Sequence, residues 1–114
     1  MEPTLYVYGP ELEVSGAGDP SFNGTYSPAL ANAEVPGAQW VKGTGENMRF
    51  ILKDGNTWFI GGNNGYASVI NSQWPWETDY ITDGADGPAP TVKRTVITIQ
   101  EALDALQFKF NAPA

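Results

Sequence analysis

Residues 48–60 read Met48-Arg49-Phe50-Ile51-Leu52-Lys53-Asp54-Gly55-Asn56-Thr57-Trp58-Phe59-Ile60. Two runs rich in β-branched and aromatic residues flank three residues that favour a tight reversal, the pattern of a β-hairpin. Large side chains on both arms need a surface to bury against, so the hairpin must be part of a larger sheet.

Working outward, the same alternation of short aromatic runs and turn residues continues in both directions. Gly61-Gly62-Asn63-Asn64-Gly65 predicts a turn, and Tyr66-Ala67-Ser68-Val69-Ile70 resumes a strand. Trp74-Pro75-Trp76 interrupts regular pairing through its proline, Tyr80-Ile81 is a short strand, and Asp83 to Pro90 forms a turn and linker. Toward the amino terminus, Thr4 to Tyr8 reads as a strand that stops at Gly9-Pro10, with a separate strand over Leu12 to Ser15. Asn23-Gly24 predicts a tight turn into Thr25-Tyr26-Ser27, and residues 28–38 predict a loop.

After Pro90 the pattern changes. Thr91 to Ile97 alternates like a strand, and Thr98 with Glu101 has the spacing of a capping box ahead of Ala102-Leu103-Asp104-Ala105-Leu106. The expected division is a β module over 1–90 and a strand-helix arm over 91–114. The fold class is all-β: a small antiparallel barrel or sandwich with a short C-terminal helix. A two-turn helix does not hold together alone in water, so the arm must dock.

Composition supports one domain and narrows its chemistry. The 114 residues contain 13 Gly, 9 Pro and 14 aromatics, with 41% hydrophobic and 17% charged, a globular balance with many turns. Without cysteine there are no disulfides or thiolate sites, and without histidine the usual acid–base group near neutral pH is missing. The formal charge of −7 has the wrong sign for nucleic acid. It is uneven: residues 1–90 carry three bases against eleven acids, net −8, and residues 91–114 three bases against two acids, net +1. No run approaches the length of a membrane span, and Met1-Glu2-Pro3-Thr4 lacks the features of a signal peptide.

The string Val14-Ser15-Gly16-Ala17-Gly18-Asp19-Pro20-Ser21-Phe22-Asn23-Gly24-Thr25-Tyr26 resembles the opening of a small module known in phage tail and fibre proteins and other multi-module proteins, V-S-G-A-G followed by N-G-T-Y. The likeness covers roughly residues 12–92 and departs from the pattern between Ala29 and Gly45. It implies a folded spacer or binding unit without catalytic residues. Within the motif, the glycines are expected at tight turns, Asn23 at a positive-φ position and Tyr26 in the core.

Candidate sites follow from these readings. In the arm, Leu103, Leu106, Phe108 and Phe110 are expected at an assembly interface, where burial is worth roughly 1.5–3 kcal/mol per side chain; the structural alternative is a helix folded back on its own body. Trp74, Trp76 and Tyr80 are the alternative site, an aromatic platform for a sugar ring with Glu77 and Asp79 nearby, weighed against aromatics that simply cover one end of the body. Asp79, Asp83 and Asp86 do not match the EF-hand spacing and read as a solvated acidic turn. A Glu77–Asp79 pair for glycoside hydrolysis has nothing to fix its separation.

The expected function is therefore that of a non-enzymatic bacteriophage virion protein, a capsid decoration or cement protein or a tail- or fibre-associated module. Expected partners are other virion subunits, copies of itself included, with a surface glycan as the alternative and neither nucleic acid nor membrane. No cofactor or metal is expected. The expected location is the virion, after synthesis in the host cytoplasm without a signal peptide.

Overall fold

The structure, a computed structural model, describes residues 4–29, 37–62 and 64–104. Eight strands, β1 (Tyr6–Ser15), β2 (Gly24–Pro28), β3 (Ala38–Lys42), β4 (Arg49–Asp54), β5 (Thr57–Gly61), β6 (Gly65–Ser68), β7 (Tyr80–Asp83) and β8 (Thr91–Thr98), form one sheet. Its order is β7-β6-β5-β4-β3-β2-β1-β8 with antiparallel neighbours throughout. The sheet curls into a half-barrel and buries one face on itself, the all-β architecture the strand pattern predicts.

The predicted hairpin is β4 and β5, closed by the pair Asp54–Thr57 so that Gly55 and Asn56 make the turn. Gly55 takes φ +61°, a region in which a side chain is disfavoured. Ile51 faces Ile60 across this hairpin, and Ile60 faces Tyr66 on β6; all three are buried with Trp58. Leu12 and Val14 from β1, Tyr26 from β2 and Val92 from β8 complete the inner face. Phe22 enters from the β1–β2 connection and meets Tyr66 edge-on, with centroids 5.1 Å apart.

Two local expectations need correction. The first strand does not stop at Gly9-Pro10: β1 runs through both residues, and its register against β8 shifts between Tyr8 and Leu12. This bulge tolerates Pro10, which has no N–H to pair, and its carbonyls are taken up by side chains. Trp40 Nε1–H donates to Pro10 O at 3.1 Å, and Thr95 Oγ1–H to Glu11 O at 2.9 Å. The stretch around Trp40, to which the sequence pattern assigns no element, is strand: Ala38–Lys42 pairs with β2 and β4.

Secondly, Asn23 does not sit at positive φ. Its backbone is extended (φ −76°), and the positive value belongs to Gly24 at +131°. Asn23 acts instead through its amide, which accepts from Ala17 N–H at 2.9 Å and donates to Ala17 O at 3.4 Å. That clamp closes the connection 16–23, which contains a 3₁₀ turn at Pro20–Phe22 rather than a two-residue hairpin turn.

The Val14–Tyr26 motif is otherwise explained by packing. Val14 and Tyr26 are fully buried, and the Tyr26 hydroxyl donates to Phe22 O at 2.7 Å. Gly18 lies so close to the Gly87 carbonyl that a methyl group would overlap it, and Gly18 N–H donates to Pro88 O at 2.8 Å. The motif loop is thereby tied to the segment leading into β8.

Candidate functional site

The bulge divides β1 into two environments. From Leu12 onward, β1 lies between β2 and β8; before it, among the described residues, Tyr6, Val7 and Tyr8 pair only with Thr98, Ile97 and Val96 of β8. The outer half is thus a two-stranded ribbon that runs past the end of β2. Ile99 N–H donates to Leu5 O at 3.1 Å, which carries the pairing to the start of the helix at residues 99–104. Thr98 and Glu101 form the predicted capping box: Glu101 N–H donates to Thr98 Oγ1 at 3.1 Å, and Thr98 N–H to Glu101 Oε1 at 3.2 Å.

This ribbon carries the exposed apolar surface of the molecule's C-terminal side. Leu5, Tyr6, Val7 and Tyr8 on one strand and Val96, Ile99 and Leu103 on the other side are 37–62% exposed. Tyr6, Val7, Tyr8 and Val96 also line a shallow pocket of about 300 Å³. No residue in 4–10 or 95–100 is charged, on a chain whose net charge is −7. Tyrosines and branched aliphatics without charge are the composition of an interface centre rather than of a solvated surface.

Below the ribbon an aromatic stack joins it to the body. Trp74 and Trp76 lie parallel, with centroids 5.2 Å apart and planes within 4°. The Arg94 guanidinium sits 4.9 Å from the Trp76 ring centroid and 3.5 Å from that of Tyr8. Trp40 meets Trp76 edge-on at 6.3 Å and leans on Trp58 at 6.3 Å. Cation–π contact with both rings makes Arg94 a link between the loop 69–79 and β1.

That loop is firmly anchored. Ser72 O accepts from Trp58 Nε1–H and Lys53 Nζ–H, each at 2.9 Å. Tyr80 is buried and its hydroxyl donates to Pro75 O at 2.7 Å; Pro75 itself is fully buried. Tyr80, expected as the third ring of a sugar platform, therefore lies in the core, where its ring packs and its hydroxyl is used. Trp76 is half-buried against the core, and Trp74 keeps 39% of its surface in solvent. What reaches solvent from this trio is chiefly Trp74.

The remaining sequence-predicted residues fall as follows. Leu103 is 46% exposed on the helix, while Leu106, Phe108 and Phe110 lie outside the described residues. The arm's strand is part of the sheet: β8 pairs with β1 along its length, with Val92 and Pro90 buried on either side of the expected division. Glu77, Asp79, Asp83 and Asp86 are exposed, and among the described residues no three acidic side chains gather closely enough to hold a metal ion.

Sequence reasoning missed Tyr6, Tyr8, Val96 and Arg94. A signal for the first three was present in the two uncharged stretches, 4–10 and 95–100, but their pairing joins residues about ninety positions apart. No family model, curated protein or solved structure matches the chain.

Proposed function

We propose that this chain is a structural module that works by protein–protein assembly, and that its place is in a bacteriophage particle as a capsid decoration protein or a tail- or fibre-associated unit. The observation that carries the assembly part is the uncharged, exposed β1–β8 ribbon and its helix. The phage setting rests on the resemblance of Val14–Tyr26 to the module of tail and fibre proteins. Nothing in this reading calls for a catalytic group, and the role is non-enzymatic.

The test is quantitative mass spectrometry of purified particles of the phage that encodes the chain. The expected result is the chain at a fixed copy number relative to the major capsid or tail subunit. Abundance in the infected lysate together with absence from the particles would sink the proposal.

A second reading, a carbohydrate-binding module, keeps one specific observation in its favour. Trp74 presents a partly exposed ring backed by Trp76, and a flat indole is a good surface for the C–H face of a sugar. Titration of an oligosaccharide panel against tryptophan fluorescence decides it, with Trp74→Ala expected to abolish any response.

A further inference from the structure

Among the described residues the sheet has two edges, and they differ. β7 is four residues long, ends in Asp83 and follows Glu77 and Asp79, so it is short and flanked by negative charge, two devices that keep an edge from pairing. β8 is eight residues long and contains no proline, and its outer half, Thr95-Val96-Ile97-Thr98, is uncharged. A long, uncharged, β-branched edge is a template for another strand unless something covers it.

We propose that β8 is a self-pairing edge, through which two copies of this chain join antiparallel about a twofold axis at Val96. The inference rests on the assembly reading and supplies its first partner. Four observations select a second copy. In the register centred on Val96, each Val96 faces its twin, Thr95 faces Ile97 and Arg94 faces Thr98, the last residue of the strand, so no two like charges stand opposite each other.

Charge favours the same place. Two chains of net −7 repel, and the ribbon is where they can approach with no acid in 4–10 or 91–100 on either side. Apolar surface is available beside the edge: Leu5, Tyr6, Tyr8 and Val96 are each 59–62% exposed. Finally, a twofold contact uses one patch twice, which is the commonest way in which identical chains associate.

The two Tyr8 rings and the two helices flank the joined edges, so Leu103 and the pocket lined by Tyr6, Val7, Tyr8 and Val96 lie beside the new ladder. The paired sheet would run through sixteen strands, twice the eight of one chain. Neither β7 edge is used, so the association stops at two rather than growing into a filament.

The experiment is sedimentation equilibrium of the full chain from micromolar to millimolar concentration, with Val96→Lys and Val96→Glu, separately and mixed. The wild type is expected to reach twice the chain mass. Each variant alone places like charges face to face at the axis and should raise the dissociation constant at least about tenfold. An equimolar mixture should restore the dimer, because lysine then faces glutamate.

Amide exchange on the wild type gives a measurement independent of variant folding: protection of the β8 amides should rise with protein concentration. A monomer at every concentration overturns the proposal, as does a mixture that stays monomeric while both variants keep wild-type circular dichroism. Strong β8 protection that does not change with concentration overturns it too. A monomer present at fixed copy number in particles loses the paired edge and keeps the structural role; a dimer absent from particles does the reverse.

Discussion

Two glycines in the motif loop do different work, and the difference is measurable. Gly16 adopts φ +81° with open space around the position of a Cβ, so only its backbone conformation excludes a side chain. Gly18 has ordinary φ, and the Gly87 backbone occupies the place where its Cβ would be. A left-handed alanine costs roughly 1–2 kcal/mol, whereas a methyl driven into a backbone carbonyl, which cannot swing aside as a side chain can, forces two segments apart at typically about 1–3 kcal/mol and occasionally more. Gly18→Ala should therefore lower the urea midpoint further than Gly16→Ala. Equal losses would mean that the 16–23 loop and the segment before β8 are not in contact. Sequence alone shows only that both are glycines; the reason for the second lies seventy residues away. Asn23 carries the same lesson, because an Asn-Gly pair ordinarily advertises a tight turn, and here the amide is consumed in clamping Ala17 while the next residue takes the unusual φ.

At the scale of elements, legibility follows the range of the interactions. The β4–β5 hairpin and the Thr98–Glu101 capping box are local, and the residues that dictate them lie within a few positions of one another. The continuity of β1 through Gly9-Pro10 is not local. It depends on Trp40 and Thr95 satisfying the bulge carbonyls, and on Gly9 letting Thr95 Oγ1 approach to within 2.9 Å of where a Cβ would stand. Nor was Arg94 legible: its value comes from Tyr8 and Trp76, which belong to two distant elements. Arg94→Met keeps much of the aliphatic stem and removes the cation. It should cost about 1 kcal/mol and weaken the near-ultraviolet circular dichroism of the Trp74–Trp76 pair. Arg94→Lys should restore only part, since an ammonium does not stack as a planar guanidinium does. Unchanged near-ultraviolet spectra in both variants would remove Arg94 as a link between the loop 69–79 and β1.

For the whole molecule, the half-barrel is held by a sheet whose last strand returns beside its first, with Phe22 from the connection 16–23 and Pro75 from the connection 69–79 buried. Two of the buried side chains there are tyrosines whose hydroxyls donate to carbonyls in those connections, Tyr26 to Phe22 O and Tyr80 to Pro75 O. Burial disfavours the phenolate and raises both pKa values above the ordinary 10.0. Their neutral forms are thus favoured by folding, and the contribution is fully present below the unfolded value. As pH rises past about 10, the unfolded chain releases these protons and the folded chain does not, so stability falls until the folded values are reached. The limiting slope is about 1.4 kcal/mol per pH unit for each tyrosine. Urea midpoints measured from pH 7 to about 11.5 should decline steeply above pH 10. The Tyr26→Phe, Tyr80→Phe double variant should start lower, by about 1 kcal/mol for each lost hydrogen bond, and then decline less steeply. That comparison separates these two hydroxyls from everything else that titrates in the same range. Parallel alkaline limbs in wild type and double variant would show that neither hydroxyl is held in the interior.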